Sequence, residues 1–285
     1  MHVKKPAAVI DPQQLPKNWF DSVRGCVLDM DGVLYRGNTM IPEVPAFMAA
    51  LYAADIAWSM ATNNSTATPR DYVEKLASMG IAAPEDRIVT SGIATATYLK
   101  SHYSAGTRVY IVGMAAMEEA VFADGYFVAA DRDAEVVVSG ANFELRYDML
   151  RTACLAIRAG AAWVATNADK TFPTEDGLIP GAGAIVAALS AATDVDPVVI
   201  GKPSPEMIAS CMTIMGTSAA ETLMVGDRLD TDILAGQRAG TRTLLVLTGV
   251  STRKEVADTG IIPDIIVDTL ATVSDLANAR IPRLT

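Results

Sequence analysis

The chain has 285 residues, 51% apolar and 20% charged, enough core for one large domain or two of common size. Lys and Arg number 23 against 33 Asp and Glu, a formal charge of −10 that argues against a general nucleic-acid or anionic-membrane surface. Cys26, Cys154 and Cys211 are widely spaced, form no C-x-x-C pair and read as small buried residues. His2 and His102 are too few for His-based zinc or triad chemistry, so any metal is expected on oxygen.

The first 22 residues carry Pro6, Pro12 and Pro16 among polar residues instead of a signal-peptide core. No apolar run reaches the ~20 residues a membrane helix needs, so no membrane association is expected and the expected compartment is the cytoplasm. The first ~20 residues lack periodicity and are expected outside the folded pattern. From there, short apolar runs alternate with longer helical patterns, as in a parallel sheet with crossover helices. The expected strands are 25–28, 56–61, 87–90, 108–112, 135–138, 162–165, 198–200, 222–225, 243–247 and 265–267. Helical patterns cover 69–79, 146–159, 183–192, 205–215 and 232–239, which makes the class α/β.

Polar residues interrupt this pattern where strands end. Asp29 and Asp31 follow the first strand and Thr62-Asn63-Asn64 the second, while Gly201-Lys202-Pro203 and Gly226-Asp227-Arg228 follow two later ones. In open parallel sheets ligands bind outside the carboxyl ends of the strands, so residues far apart in sequence can meet at one edge. Clustered carboxylates such as Asp29, Asp31, Asp227 and Asp232 repel one another unless a cation joins them, and hard oxygen donors suit Mg²⁺. Lys202 beside them points to a phosphate. A carboxylate can attack phosphorus to form an acyl phosphate, and a second one can move the protons.

The segments D29-M-D31-G-V, T62-N63-N64, K202-P-S-P and G226-D227-R228-L-D-T-D232 resemble, in order, the four motifs of the haloacid dehalogenase superfamily. With T166-N-A-D169 they are similar to its class IIA, NagD-like phosphatases, over roughly residues 25–268. The resemblance implies a Rossmann-like core with an inserted α/β cap, Asp29 as nucleophile and Asp31 as general acid and base. It implies that Gly32, Thr62, Asn63 and Lys202 hold the phosphoryl group. Mg²⁺ would sit on the Asp29 carboxylate, the Asp31 carbonyl and Asp227, with Asp232 acting from behind. Asp31 favours a phosphorus substrate, because the superfamily's dehalogenases lack that acid.

Lys202 follows Asn63 by 139 positions, whereas a parallel crossover needs only a dozen or so. The core is therefore expected at 1–90 and 197–285, with the cap at 91–196 running strand-helix-strand-strand-helix-strand-helix. Segments 166–173 and 180–183, with Asn167 and Asp169, are expected to read the leaving group. Asn142 stands where some relatives carry an acid.

Each motif also has a plainer reading. D-x-D-G alone occurs in ordinary turns, and Lys202 alone would be a solvated helix start. Its place 25 positions ahead of Asp227 makes it informative. Ser65 and Thr66 are expected to cap the next helix. Asp232 fits both a helix-start acid and a role behind the metal. Gly181-Ala-Gly183 lacks the third glycine and the preceding strand of a dinucleotide site. The Met-rich stretches near Met48, Met114 to Met117 and Met207 to Met215 read as core filling, and His102 as a surface helix residue.

The expected activity is hydrolysis of small phosphate monoesters such as 2-phosphoglycolate, glycerol phosphate, sugar phosphates or nucleoside monophosphates, with p-nitrophenyl phosphate as an artificial substrate. A phosphotransferase using the same aspartyl-phosphate and a silent phosphate-binding module are the alternatives. Similar proteins dimerise through the cap, so the resemblance extends to a homodimer.

Overall fold

The computed structural model of the protein describes residues 19–279 apart from residue 175. The expectation for the first ~20 residues falls almost wholly outside these. Two compact units divide the chain. One comprises the described residues up to Ala61, Val73–Ile88 and those from Ile208 onward, and the other comprises Thr62–Tyr72 and Val89–Met207.

A six-stranded sheet runs in the order Ile265–Val267, Arg242–Val246, Thr222–Gly226, Gly25–Leu28, Ala57–Thr62, Ile88–Thr90. Gly25–Leu28 pairs in parallel with Thr222–Gly226 on one side and with Ala57–Thr62 on the other. All four of its residues are buried, as expected of a strand covered on both faces. Strand order reverses between Gly25–Leu28 and Thr222–Gly226, which makes their carboxyl ends the place for a ligand.

The second unit holds a five-stranded, all-parallel sheet in the order Val198–Val199, Ala162–Ala165, Val136–Ser139, Arg108–Val112, Val128–Ala129. Val112, Val137, Ile157, Trp163 and Leu189 pack together on it. The expected succession of elements is present as Arg108–Val112, Ala115–Phe122, Val128–Ala129, Val136–Ser139, Tyr147–Arg158, Ala162–Ala165 and Ala182–Thr193. Two additions escaped the sequence pattern. The helix Ser91–His102 is built of small and polar residues without an apolar stripe, and Thr90 Oγ1 caps it by accepting from the Ile93 N–H at 3.2 Å. The other is an antiparallel hairpin, Thr171–Thr174 with Gly177–Pro180.

Several local expectations need correction. The helix Pro69–Ser78 is opened by Thr68, whose Oγ1 accepts from the Asp71 N–H at 3.1 Å while its own N–H donates to Asp71 Oδ2 at 2.7 Å. Ser65 is instead buried, 3.2 Å from Thr166 Oγ1, and Thr66 bonds Asn64 Oδ1, so neither caps the helix. Cys154 is half-buried, whereas Cys26 and Cys211 are buried. Burial pushes the Cys26 thiol up to about 12, which leaves it a packing residue. His102 is exposed at the end of its helix and stacks on Tyr98 at 3.9 Å. Among the described residues, no helix is long and apolar enough to cross a membrane.

Leu28 is completely buried in the central strand. Leu28→Ala is expected to lower the stability of its unit by about 2–5 kcal/mol, through lost transfer energy and the cavity left behind, as read from urea unfolding.

Candidate active site

The first strand ends at Leu28, and the next residues fold back at once. The Leu34 N–H donates to Met30 O at 2.8 Å and the Gly32 N–H to Tyr35 O at 2.8 Å, closing a tight turn. Gly32 makes the turn at φ +91, a left-handed conformation that L side chains rarely adopt. The turn leaves Asp29 half-buried, with its N–H still held by Val225 O at 2.9 Å, and exposes Asp31 to solvent. The two acids therefore occupy different environments although they sit two positions apart.

The neighbouring strand Thr222–Gly226 is followed directly by Asp227, which is 1% exposed. Its Oδ2 accepts from the Val250 N–H at 2.7 Å, and its carbonyl accepts from the Ser251 N–H at 3.0 Å. The loop after Arg242–Val246 thus grips Asp227 and also reaches the first turn, since Thr248 Oγ1 donates to Gly32 O at 2.6 Å. A Cβ on Gly249 would lie 1.9 Å from Asp227 Oδ2, and one on Gly32 would lie 2.5 Å from it. Only glycine fits at either place. The sequence reading missed Thr248-Gly249-Val250, whose sole signal is a glycine after a strand end.

Asp232 is also 1% exposed, and its Oδ2 accepts from the N–H groups of Asp227 at 3.2 Å and Arg228 at 3.1 Å. Its side chain thus turns back to the preceding loop. The expected helix 232–239 accordingly becomes a π-helical turn, Leu229–Ile233, followed by a short helix, Leu234–Ala239. A Cβ on Gly226 would lie 2.2 Å from Asp232 Cβ, so that glycine admits the acid.

Asp29, Asp227 and Asp232 each present a carboxylate oxygen within 4.8 Å of the other two. Three carboxylates this close, two of them buried, repel strongly unless a cation lies among them. The donor set is all oxygen, which fits a hard divalent ion. The Asp31 carboxylate is outside this group.

The second unit brings together most of the other expected residues. Thr62 is the last residue of Ala57–Thr62, one position later than expected, and its Oγ1 accepts from the Asn64 N–H at 3.3 Å. Lys202 is 2% exposed. It follows Val198–Val199, whose ladder to Ala162–Ala165 continues with Ile200 N–H to Ala165 O at 3.0 Å and Gly201 N–H to Thr166 O at 2.7 Å. The Asn63 amide donates to Lys202 O at 2.8 Å and to the Asp169 carboxylate at 3.1 and 3.3 Å. Asn167 Nδ2 donates to Asn63 O at 2.7 Å. Two residues expected to read a leaving group are therefore bonded to one expected to hold phosphate. Asn142 donates to Gly113 O at 2.9 Å and accepts from the Glu144 N–H at 2.8 Å, so its amide ties two loops of the second unit.

Residues 26–127 match the haloacid dehalogenase-like hydrolase family, and residues 199–273 match a second, HAD-hydrolase-like model. The 5′-nucleotidase YutF of Bacillus subtilis is 38% identical over 82% of this chain and 91% of its own. An acid sugar phosphatase of Staphylococcus saprophyticus is 37% identical over 83% of this chain and 91% of its own. Among solved structures, NagD from E. coli K-12 superposes with a TM-score of 0.82 at 30% identity, covering 87% of this chain and 97% of that one.

Gly249→Ala would push a methyl into Asp227. It is expected to weaken divalent-cation binding about 10-fold or more while leaving the cooperative melt in place, as read by titration calorimetry with Mg²⁺ or Mn²⁺.

Proposed function

The chain belongs to the haloacid dehalogenase-like hydrolases and, within them, to the NagD-like class IIA phosphatases, and from that premise we propose a Mg²⁺-dependent phosphomonoesterase that works through an aspartyl-phosphate. The observation that carries this reading is the group of three carboxylates, Asp29, Asp227 and Asp232, at the reversal of strand order.

In the proposed first step an oxygen of the half-buried Asp29 carboxylate attacks phosphorus in line with the ester bond. The bond from phosphorus to the leaving oxygen breaks, and Asp31 gives that oxygen its proton. In the second step Asp31, now a carboxylate, takes a proton from water as the water oxygen attacks the phosphorus of the acyl phosphate. The phosphorus–Asp29 bond breaks and inorganic phosphate leaves. The exposed position of Asp31 suits a group that must meet both a leaving alcohol and a water molecule.

Asp29, Asp227 and the Asp31 carbonyl would hold Mg²⁺, which when bound supplies positive charge against the equatorial phosphoryl oxygens and lowers the repulsion among the acids. Asp232 supports the site through the backbone it fixes, because its two N–H bonds set the path of Asp227 and Arg228. Thr62, the main chain at Gly32 and Asn63, and the Lys202 ammonium would hold the phosphoryl group. Residues 91–196, which lie within the second unit, are proposed as the cap, with the core in the flanking segments 1–90 and 197–285. A cap excludes water and selects the leaving group.

Substrates are small phosphorylated metabolites. The names of the two relatives point to different leaving groups, a nucleoside and a sugar, so 2-phosphoglycolate, glycerol phosphate, sugar phosphates and nucleoside monophosphates all belong in the panel beside p-nitrophenyl phosphate.

Phosphate release is expected from at least one ester with Mg²⁺ and from none with EDTA. Asp29→Asn is expected to lower it by about 10⁴-fold or more with the fold intact. Release unaffected by Asp29→Asn or by EDTA would overturn the proposal.

A further inference from the structure

The bonds around Asn63 distribute roles in a way the motifs do not state. We propose that Asp169, with Asn167, is a positioning residue for the phosphate-holding pair Asn63 and Lys202 and does not read the leaving group. The proposal rests on the phosphatase reading above.

An Asn amide has two hydrogens, and those of Asn63 are directed at three acceptors, the two Asp169 oxygens and Lys202 O. The Asn63 carbonyl accepts two donors, Ser91 Oγ at 2.6 Å and Asn167 Nδ2 at 2.7 Å. Asn63 Oδ1 is buried and makes no hydrogen bond. Turning the amide over would set that oxygen against a carboxylate and a carbonyl, so Asp169 and Lys202 O determine which way it points. With its side chain engaged in this way, Asn63 meets phosphate through its main chain, whose path Asn167 and Ser91 hold.

Asp169 is itself held at both ends. Its N–H donates to Asn167 Oδ1 at 3.0 Å, and its carbonyl accepts from the Gly183 N–H at 2.8 Å in the first turn of the helix Ala182–Thr193. A Cβ on Gly181 would lie 2.4 Å from Asp169 O, and one on Gly183 would lie 2.4 Å from Ala168 O. The G-A-G segment is therefore explained by close packing of a helix start on the Ala168-Asp169 loop. Gly201 is equally tight, since a Cβ there would lie 2.7 Å from Asn63 Oδ1 and 2.6 Å from Thr166 O. Asn63, Asn167, Asp169, Gly201 and Lys202 form one bonded set, in which Asp169 sets the Asn63 amide and through it the Lys202 main chain. A misplacement of about 1 Å in a group that holds the transition state costs on the order of 10²-fold in rate.

The test compares wild type, Asp169→Ala, Asp169→Asn and Asn167→Ala. It measures kcat and KM for p-nitrophenyl phosphate, a sugar phosphate and a nucleoside monophosphate, inorganic phosphate binding by calorimetry, and the thermal melt. Asp169→Ala is expected to lose on the order of 10²-fold in kcat by the same factor for every ester, with weaker phosphate binding and a retained melt. Asp169→Asn keeps one acceptor for Asn63 and is expected to recover part of the loss, and Asn167→Ala is expected to show the same ester-independent pattern. Changed selectivity among esters with unchanged phosphate binding would overturn the proposal and assign Asp169 to the leaving group. If Asp169→Ala does not fold, Asn167→Ala and Asp169→Asn carry the same comparison. If wild type releases phosphate from no ester, the phosphatase reading fails, and calorimetry still decides the positioning role, which unchanged phosphate binding in the variants would overturn.

Discussion

Holding two buried carboxylates, Asp227 and Asp232, beside a third at Asp29 is the constraint on which the first unit is built. Removing ionised acids from water is costly unless hydrogen bonds or a cation replace the lost hydration. The chain supplies part of that replacement from its own backbone. Asp232 takes two N–H groups of the loop it follows, and Asp227 takes one from Val250. Each of these bonds needs a backbone approach that a side chain would block, and Gly226, Gly32 and Gly249 stand at the three blocking points. The glycines, the π-helical turn and the loop after Arg242–Val246 answer one electrostatic problem.

The second unit solves a different problem with neutral groups. Around Asn63 the bonds run through amides, hydroxyls and main-chain carbonyls, with Asp169 as the acid that accepts from the amide. Such a network is stiff because each member satisfies a neighbour, and one substitution leaves several groups without partners. The phosphate-holding role proposed for this loop would benefit from that stiffness, because donors fixed before a substrate arrives need no reordering during the reaction. The parallel ladder that carries Gly201 alongside Thr166 delivers Lys202 to the same network.

How much of this was legible depended on the range of the interaction. Gly25–Leu28 and Ile265–Val267 were read to the residue, because four or three apolar residues between turn signals define a buried strand locally. The helix Ser91–His102 was missed because its small residues pack without a stripe. Thr68 was overlooked as a cap in favour of Ser65 and Thr66, because all three hydroxyls suit the role and only the backbone path selects one.

The sequence by itself determined the kinds of chemistry present: acids two apart after a buried strand, a hydroxyl and an amide after the next, a lysine ahead of Pro-Ser-Pro, and an acid pair five apart near the end. Order and spacing along the chain are local properties, and they sufficed for the α/β class and the family resemblance. Tertiary structure alone decided which of these groups meet. Asn63 and Asp169 are 106 positions apart, and Asp227 and Val250 are 23 apart. The register of neighbouring strands and the glycines between them bring such pairs within hydrogen-bond distance, and no local propensity encodes that register. That is why Asp169 could be picked out as important from the sequence while its bond to Asn63 was visible only in the fold.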